Sequence, residues 1–436
     1  MQSVKIGVLG LGTVGSGTVN VLSRNLQEIT GRAGRDIEIT HAAVRDLTKE
    51  TACSTEGISL TDDAMAVVNN PDIQVIVELI GGTGVALDLV TKAIENGKHV
   101  VTANKALIAL HGNELFAKAQ EMGVTIAFEA AVAGGIPIIK AMREGLAANS
   151  IEWLAGIING TGNFILTEMR DKERDFADVL AEAQALGYAE ADPTFDVEGI
   201  DAAHKLTIMA SIAFGIPLQF DKAYTEGISK IAQEDVKYAA ELGYRIKHLG
   251  IAKKTEQGVE LRVHPTMIPH RRLIANVDGV MNAVLVQGDA VGPTLYYGAG
   301  AGSEATASAV IADIVDIVRA VTTDPENRVP HLAFQPDALS DTPILPVSEV
   351  VTSYYLRVST EDKPGVLADI TRILGEQGIS IEAILQKQPE EQGGIVPVIM
   401  LTQEVVEKNM DAAIAQIEAL ETVKDSVMRI RMESLG

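Results

Sequence analysis

The sequence predicts an α/β protein built from more than one domain. Ala, Val, Ile and Gly dominate a chain of 436 residues in which 47% of the residues are hydrophobic and only 4% are aromatic. That balance favours helices packed on sheets over an all-β sandwich. An apolar run at the start leads directly into a glycine-rich turn, and residues 351–436 follow the order βαββαβ. A chain of this length is typical of two to four domains.

The glycine-rich turn predicts a dinucleotide-binding domain of the Rossmann type. Residues 4–9 are typical of a buried parallel strand, and G-x-G-x-x-G follows at residues 10–15, before a helix expected from Val14 to about residue 29. The first glycine makes the tight turn, the second lets a pyrophosphate approach the backbone, and the third lets helix and strand pack closely. A purely structural turn is the alternative. The residues assigned to the cofactor are Gly10, Gly12, Thr13, Val14 and Gly15.

The end of the second predicted strand, residues 37–44, bears on the choice between NAD and NADP. An acid at this position accepts a hydrogen bond from the ribose 2′-hydroxyl, whereas an arginine pairs with a 2′-phosphate. Arg45 follows the strand directly and Asp46 comes next. The sequence therefore favours NADP and leaves NAD open, with an exposed loop charge as the alternative role of Arg45.

Further βα units place a lysine at the ligand-binding edge of the same sheet. Strands are expected at residues 73–79, 99–102 and 124–128, with a helix at 88–96. Lys105 lies just past the carboxyl end of the 99–102 strand, which is where ligands bind in open α/β sheets. We expect Lys105 to contact both nicotinamide and substrate; a surface lysine at a helix start is the alternative.

The segment 129–137 combines one acid, Glu129, with small residues. Such a loop can present backbone carbonyl oxygens beside one carboxylate, a set of oxygen ligands that suits a hard monovalent cation. A simple crossover between domains is the alternative.

The middle of the chain predicts an α+β region. A polar turn at residues 159–163 is expected to cap a helix that starts at Phe164, and a turn-rich stretch is expected before Gly298. The amphipathic helix at 303–320 is expected to return to the first domain. Further strands are expected at residues 151–158, 259–268 and 282–287, and further helices at residues 176–186 and 199–214.

Residues 187–205 carry five carboxylates and end on Lys205. Asp192-Pro193 predicts a loop, since proline disfavours helix at the residue before it, and the helical pattern starts at about residue 199. Asp201 and Lys205 are then neighbours on one face of a helix. From the pattern alone, a solvated charged loop with an ordinary surface ion pair competes with a site that holds and deprotonates a polar substrate.

Five prolines between residues 324 and 350 predict a connecting segment. Beyond it, strands are expected at residues 353–359, 379–386, 395–402 and 426–432, and helices from residues 362–367 onward and at 405–418. This order is that of a ferredoxin-like module. Pro364 is expected near the first turn of its first helix.

Composition argues against several functions. The net charge of −23 argues against a nucleic-acid or anionic-membrane partner. Cys53 is the only cysteine, so no intrachain disulfide and no thiolate metal cage can form. Since the sequence shows neither a signal peptide nor a run of about 18 apolar residues, we expect a cytoplasmic protein.

The residues quoted above resemble the homoserine dehydrogenase family. The stretch 187–205 matches the family signature at several fixed positions, and the resemblance covers residues 1 to about 320. Gly162 departs from it, because relatives commonly carry a hydroxyl residue there. The matching segments are Asp192-Pro193 with Asp196, Gly199, Asp201 and Lys205, the turn at residues 10–15, Thr102-Ala-Asn-Lys105, and Ile158-Asn-Gly-Thr-Gly-Asn163.

The resemblance implies reversible NAD(P)-dependent oxidation of L-homoserine to L-aspartate 4-semialdehyde, used in the reducing direction for threonine, methionine and isoleucine biosynthesis. By the same resemblance, Lys205 is the acid/base that exchanges the hydroxyl proton, and Lys105 helps to position nicotinamide and substrate. Glu190 and Asp201 would hold homoserine, whereas Glu198 is expected to be solvated. The residues implied to line the cofactor cleft are Gly187 and Gly302. The implied sodium ligands are Glu129 and the carbonyls of Val132, Gly134 and Ile136.

The C-terminal module is similar to ACT domains, which often bind amino acids where two such domains pair. Its turn after the first strand, with Asp362, Pro364 and Gly365, carries the likeness. The implied effector is threonine; a module used only for assembly is the alternative.

We therefore expect the chain to form a homo-oligomer, a dimer or a tetramer, and each chain to have four parts. They are an NAD(P)-binding domain (1–132 with 303–325), a catalytic and dimerisation domain (133–302), a linker (326–350) and an ACT domain (351–436).

Two other functions compete with this expectation. One is an oxidoreductase that acts on a different amino-acid aldehyde, which the fold alone would permit. The other is a non-catalytic amino-acid sensor built from a degenerate dehydrogenase. A sensor would have lost a catalytic group, yet Lys105, Glu190, Asp201 and Lys205 are all present.

Overall fold

The computed structural model describes residues 3–325, 328–387 and 394–436, so parts of the expected linker (326–327) and ACT domain (388–393) lie outside it. The first elements are β1 Val4–Leu9, α1 Thr13–Arg24, α2 Leu26–Ala33, β2 Ile37–Ala43, β3 Ser59–Thr61, α3 Ala64–Asn69, β4 Val75–Glu78, α4 Gly84–Glu95, β5 His99–Thr102, α5 Lys105–Glu121, β6 Ile126–Ala127 and α6 Ile138–Lys140.

The remaining elements follow in two groups. Those up to residue 325 are β7 Ile151–Ile157, α7 Gly160–Lys172, α8 Phe176–Ala185, α9 Thr194–Val197, α10 Ile200–Phe214, β8 Tyr224–Thr225, α11 Gln233–Glu241, β9 Tyr244–Lys254, β10 Val259–Pro269, β11 Met281–Gly288, β12 Gly292–Ala299 and α12 Ser303–Ala320. The C-terminal ones are β13 Val351–Glu361, α13 Val366–Glu376, β14 Ile381–Gln386, β15 Ile395–Thr402, β16 Val405–Val406, α14 Glu407–Glu418 and β17 Met428–Met432.

The chain divides into two compact units, each made of three segments. The first unit comprises Met1–Gly160, Asp201–Ala223 and Val280–Thr342. The second unit comprises Thr161–Ile200, Tyr224–Gly279 and Pro343–Gly436.

The first unit contains a six-stranded parallel sheet of the Rossmann type. Its strand order is β3-β2-β1-β4-β5-β6. The strands are therefore added in one direction from β1 to β3 and in the opposite direction from β4 to β6. Val75, Ile76 and Val77 of β4 are fully buried, because both faces of the sheet are covered. The helix α12 packs against α1, as expected for a helix that returns to the first domain. The unit also holds the antiparallel strands β12, β11 and β7.

The second unit holds an antiparallel core that includes the ACT module. The module runs β13, α13, β14, β15, α14, β17, which confirms the predicted βαββαβ order. Its last strand pairs in parallel with β10, with Thr266 opposite Arg431. A shared sheet therefore joins the module to the preceding region of the second unit, which the sequence did not predict.

Several predicted elements change when the chain folds. The first predicted helix breaks at Asn25, which leaves helical geometry and starts α2. The turn predicted at residues 159–163 is largely the first turn of α7, which begins at Gly160 instead of Phe164. The turn-rich stretch before Gly298 is the strand β12, because β11 pairs with it as a hairpin. The helix α13 begins at Val366, so Pro364 precedes it.

Candidate active site

The glycine-rich turn has the geometry that a dinucleotide requires. A Cβ at Gly15 would lie 2.0 Å from the carbonyl oxygen of Gly10, so no larger residue fits at position 15. A Cβ at Gly12 would meet nothing within 4 Å, and Gly12 precedes α1 without a side-chain cap. The space beside Gly12 is therefore open at the first turn of α1, which holds Thr13 and Val14, and a helix start of this kind is where phosphate groups bind.

Two further predicted cofactor residues lie in the first unit. Gly302 precedes α12 with φ of +130°, and the Ser303 hydroxyl donates to the carbonyl of Thr13 at 2.8 Å. This contact fixes the start of α12 beside the start of α1. Arg45 is exposed just after β2, while the neighbouring Asp46 carboxylate accepts hydrogen bonds from the amide and hydroxyl of Thr48.

Lys105 is the first residue of α5 and follows the carboxyl end of β5. Asn104 caps the helix, since its side chain accepts a hydrogen bond from the amide of Leu107 at 3.1 Å. The Lys105 side chain is 33% exposed. The predicted position at the ligand-binding edge of the sheet is thus occupied by an ammonium group that solvent can reach.

A single buried carboxylate joins Lys105 to the helix α10. Asp201 Oδ1 lies 3.0 Å from Lys105 Nζ, and Asp201 Oδ2 lies 2.6 Å from Lys205 Nζ. Asn159 Nδ2 donates to Asp201 Oδ2 at 2.9 Å, and Lys205 Nζ donates to the Ile158 carbonyl at 2.7 Å. We call Lys105, Asp201, Lys205 and Asn159 the lysine cluster. The charges of its two ammonium groups and one carboxylate sum to +1, so the cluster can attract a carbonyl or alkoxide oxygen.

The electrostatics of the lysine cluster keep its carboxylate ionised. Burial alone would raise the pKa of Asp201, but the ammonium groups of Lys205 and Lys105 outweigh burial and hold that pKa well below its usual range. His204 lies beside them and stacks on Phe220. Burial lowers the pKa of His204 to about 4, so this histidine is neutral at physiological pH.

The acidic stretch before α10 lies in the second unit up to Ile200. Gly187 has φ of +75° and is exposed, and the Glu190 side chain is exposed. The Gln184 amide donates to the Glu190 carbonyl at 3.0 Å, which fixes the backbone there. Glu198, which was expected to be solvated, is partly exposed and accepts a hydrogen bond from the Ser229 hydroxyl at 2.7 Å.

The predicted cation residues are all buried. Val132, Gly134 and Ile136 are buried, and Gly134 has φ of +47°. The Glu129 carboxylate accepts hydrogen bonds from the amides of Ile139 and Lys140 at 2.9 and 2.8 Å. Burial and the nearby Asp313 raise the pKa of Glu129 to about 7.

Asp362, Pro364 and Gly365, the predicted effector residues, form an exposed turn between β13 and α13. Gly365 has φ of +96° and caps the helix through its backbone conformation. The amide of Asp362 donates to the carbonyl of Gly394 at 3.2 Å.

Two residues near the site were missed from the sequence. Asn159 was assigned to a capping turn, yet its side chain holds Asp201. Glu78 was treated as part of an apolar strand, yet it is a fully buried acid at the end of β4. An ionisable residue at the carboxyl end of a central strand was the available signal.

The described residues contain neither a helix that could span a membrane nor a cluster of side chains that could hold a metal ion. No helix there is long and apolar enough to cross a membrane. No group of three or more His, Cys, Asp or Glu residues there is placed to hold a metal ion.

Comparisons with known proteins agree along the whole chain. Residues 137–315 match the family model of homoserine dehydrogenase, residues 10–129 match its NAD-binding domain, and residues 354–419 match the ACT domain. The chain is 69% identical to a homoserine dehydrogenase of Pseudomonas aeruginosa and 58% identical to one of Neisseria gonorrhoeae, each over 436 residues covering 100% of both chains. A crystal structure of a homoserine dehydrogenase from Thiobacillus denitrificans superposes with a TM-score of 0.95 at 66% identity, covering 100% of this chain and 99% of that one. The chain therefore belongs to the homoserine dehydrogenase family, the NAD(P)-dependent oxidoreductases that interconvert L-homoserine and L-aspartate 4-semialdehyde.

Proposed function

We propose that the lysine cluster is the catalytic centre of this reaction and that Lys205 moves the proton of the substrate hydroxyl. The observation that carries the proposal is the shared carboxylate: Asp201 holds the ammonium groups of Lys105 and Lys205 within 3.0 and 2.6 Å. The bound nicotinamide supplies or accepts the hydride. The chain itself supplies the geometry, the positive charge and the proton.

Lys205 exchanges its proton with the oxygen of the substrate. In the reducing direction the carbonyl oxygen gains negative charge, and the Lys205 ammonium gives it a proton. The neighbouring Asp201 carboxylate stabilises that ammonium, which suits the biosynthetic direction. In the oxidising direction the neutral amine takes the hydroxyl proton back.

Lys105 and Asp201 orient the reacting groups. A second ammonium near the oxygen stabilises the developing negative charge, as preorganised donors do at other oxyanions. Asp201 is buried and bonded to both lysines and to Asn159, so its first task is to fix those side chains. We also assign Glu190, together with Asp201, to the amino group of homoserine. The exposed carboxylate of Glu190 supports that assignment.

We assign NADP as the preferred cofactor. Arg45 is exposed at the end of β2, and Asp46 is occupied by Thr48, so the group available for a 2′-substituent is a cation. We further assign Gly187 and Gly302 to the cofactor cleft.

Arg45→Ala should raise the KM for NADP+ about tenfold or more, the loss expected for a charge-assisted hydrogen bond. The KM for NAD+ should stay unchanged. Arg32→Ala, another exposed arginine, is the matched control; an equal effect of Arg45→Ala on both cofactors would remove the assignment.

We assign a monovalent cation, sodium first, to Glu129 and the carbonyls of Val132, Gly134 and Ile136. The supporting observation is the chemistry of the donors: Glu129 is a buried acid, and the segment that follows it carries backbone oxygens in a loop bent by Ala133 and Gly134 at φ of 53° and 47°. Its role is to stiffen the loop and not to polarise the substrate. Turnover in sodium, potassium and tetramethylammonium chloride at equal ionic strength tests the assignment, and equal rates in all three would refute it.

We assign threonine as the effector of the ACT module, through Asp362, Pro364 and Gly365, in a homo-oligomeric enzyme. The domain limits expected from the sequence belong to the same proposal. Because β17 pairs with β10, deleting the module would damage the rest of the second unit. The test therefore uses the full chain: millimolar threonine should inhibit it and should inhibit Asp362→Ala less. Indifference of the intact enzyme to threonine would leave assembly as the module's role.

The reaction itself is tested by reduced-nicotinamide formation with L-homoserine beside other amino alcohols, with NAD+ and NADP+ in turn. Homoserine should give the highest kcat/KM. A preference for another amino alcohol would favour a different aldehyde dehydrogenation, and no turnover with any of them would favour an amino-acid sensor.

A further inference from the structure

The buried acid Glu78 ends the central strand β4 and has no place in the mechanism above. The three residues before it in the strand are fully buried aliphatic side chains, and Glu78 is itself 0% exposed. A buried carboxyl group is unfavourable unless hydrogen bonds compensate for the lost water. An aliphatic side chain would serve packing equally well, so the partners of Glu78 indicate its role.

The Glu78 carboxylate ties two loops together. Its Oε1 atom accepts hydrogen bonds from the amides of Ile80 and Gly81 at 2.8 and 3.0 Å. Its Oε2 atom accepts a hydrogen bond from the Thr102 hydroxyl at 2.6 Å. Because Thr102 is the last residue of β5 and lies opposite Glu78 in the sheet, one carboxylate fixes the ends of two adjacent parallel strands.

The same chain of hydrogen bonds continues to the start of α5. The Thr102 hydroxyl oxygen accepts a hydrogen bond from the amide of Asn104 at 3.0 Å. The Asn104 side-chain amide donates to the Gly82 carbonyl at 2.6 Å, so this series of hydrogen bonds leads back to the loop after β4. Its oxygen caps α5. The next residue is Lys105, so the backbone that carries this lysine is held on both sides.

The loop held by Glu78 also supports the glycine-rich turn. A Cβ at Gly10 would lie 3.0 Å from the carbonyl oxygen of Leu79, so the two backbones are in close contact. Glu78 pairs with Leu9 in the sheet. This pair lies between β1 and β4, where the strand order reverses and where such sheets bind ligands.

We propose that Glu78 is a positioning residue for the reaction, which through Thr102 and Asn104 sets the place from which Lys105 reaches Asp201. The inference rests on the proposed function, because it takes Lys105 as part of the catalytic centre. A misplacement of about 1 Å in such a group lowers turnover by about 10²-fold.

The test compares two substitutions of Thr102. Thr102→Val keeps the shape and removes the hydroxyl, so the Glu78 carboxylate and the Asn104 amide lose their common partner. We expect kcat for homoserine oxidation to fall between about 10- and 100-fold and the Kd of NADP+ to change by no more than about twofold. Thr102→Ser keeps the hydroxyl and should restore most of kcat.

Glu78→Gln tests the carboxylate itself. The glutamine oxygen can still accept from Ile80 and Gly81, whereas its amide cannot accept the hydroxyl proton of Thr102. Both substitutions remove the same hydrogen bond, the one between Thr102 and Glu78. The double variant with Glu78→Gln and Thr102→Val should therefore have a kcat no lower than that of the more damaging single substitution. Effects that multiply would show that Glu78 does not act through Thr102.

A matched control separates positioning from stability. Thr402 in β15 is also fully buried, and its hydroxyl also accepts a backbone amide, that of Tyr354. Thr402→Val should lower the thermal midpoint comparably to Thr102→Val and leave kcat unchanged. A Thr102→Val enzyme with a lower midpoint and the kcat of Thr402→Val would overturn the inference.

Lys105→Ala distinguishes failure of this inference from failure of the proposed function. In the Lys105→Ala background, Thr102→Val should cause no further loss of kcat. If Lys105→Ala itself keeps normal turnover, the proposed role of Lys105 fails and this inference fails with it. If Lys105→Ala loses turnover while Thr102→Val does not, only the positioning role of Glu78 is refuted.

Discussion

The two compact units each contain a buried charge cluster, and the clusters are built differently. In the lysine cluster of the first unit, one carboxylate serves two ammonium groups, and the Lys105 side chain remains 33% exposed. The second unit contains what we call the arginine cluster: Arg431, Arg429, Glu407, Glu226, Tyr354 and Tyr224.

The charges of the arginine cluster are balanced, since its two arginines match its two carboxylates. Arg431 and Glu407 are each 1% exposed and bond through two pairs of atoms. Glu226 accepts from Arg431 at 2.7 Å, and the Tyr354 hydroxyl donates to Glu407 at 2.6 Å. The two carboxylates face Arg431 from α14 and from the residue after β8, and they tie the ACT module to the region that precedes it.

The difference indicates how to distinguish a catalytic from a structural buried charge. A structural cluster balances its charges, because any residual charge is costly inside a protein. The lysine cluster instead keeps a residual positive charge, which a substrate oxygen can use. Solvent exposure does not separate the two clusters, since Glu226 is 31% exposed and Lys105 is 33% exposed; charge balance does.

The largest effect should come from removing the shared carboxylate. Asp201→Asn leaves two ammonium groups without their counter-ion, so we expect kcat to fall about 10²-fold or more. The free energy of unfolding should fall by about 3–5 kcal/mol, as when a buried ion pair loses one partner. Turnover assays and urea titrations measure the two. Full activity in the Asp201→Asn enzyme would contradict the difference drawn between the clusters.

The pH dependence of that loss has a definite sign. The lysines depress the pKa of Asp201 in the folded state, whereas the unfolded chain protonates it near 3.9. The stabilisation is therefore complete above about pH 5 and is lost as pH falls below the unfolded pKa. The gap between wild type and Asp201→Asn should stay constant from pH 8 to about pH 5 and shrink in more acidic urea titrations; a gap that widens on acidification would refute this.

The arginine cluster should show the second-largest effect, and on stability alone. Arg431→Met removes the cation that binds buried Glu407 through two pairs of atoms and leaves only Arg429 at 3.2 Å, so unfolding should become easier by about 3–5 kcal/mol. The kcat of the remaining folded enzyme should match wild type, as measured at a temperature well below the thermal midpoint. Loss of kcat in fully folded Arg431→Met would show that this cluster serves the reaction as well.

The smallest of the three effects concerns one hydroxyl of the arginine cluster. Tyr354→Phe removes the hydrogen bond to Glu407 and leaves its arginine in place, so we expect a loss of about 1.5–3 kcal/mol. Tyr297→Phe is the control, since Tyr297 is 58% exposed and should change nothing. Equal unfolding curves for Tyr354→Phe and wild type would remove Tyr354 from the cluster's energetics.

Local patterns predicted much of the fold because some elements depend mainly on their own residues. The strands β1 and β5 and the helix α12 have the predicted bounds. The strand β9 was missed because it carries polar residues inward: Lys247 is 1% exposed, and its ammonium binds Asn163, Val277 and Asp278. Partners so far apart along the chain cannot be read from one segment.

The site was predictable only in part for the same reason. The neighbouring placement of Asp201 and Lys205 follows from helical spacing, and the structure shows it. The contact of Lys105 with Asp201 joins residues almost a hundred positions apart and follows only once the sheet is assembled. Glu78 acquires its meaning from Thr102 on the adjacent strand, and β4 alone does not reveal it.

The role of Lys205 is tested most directly by the turnover of Lys205→Ala with L-homoserine and NADP+. We expect kcat to be lower by about 10²- to 10⁴-fold, the loss typical of a removed acid/base group, with the Kd of NADP+ retained. Lys254→Ala, an exposed lysine on β9, should behave as wild type. Near-normal kcat in Lys205→Ala would contradict the assignment of proton transfer to the lysine cluster.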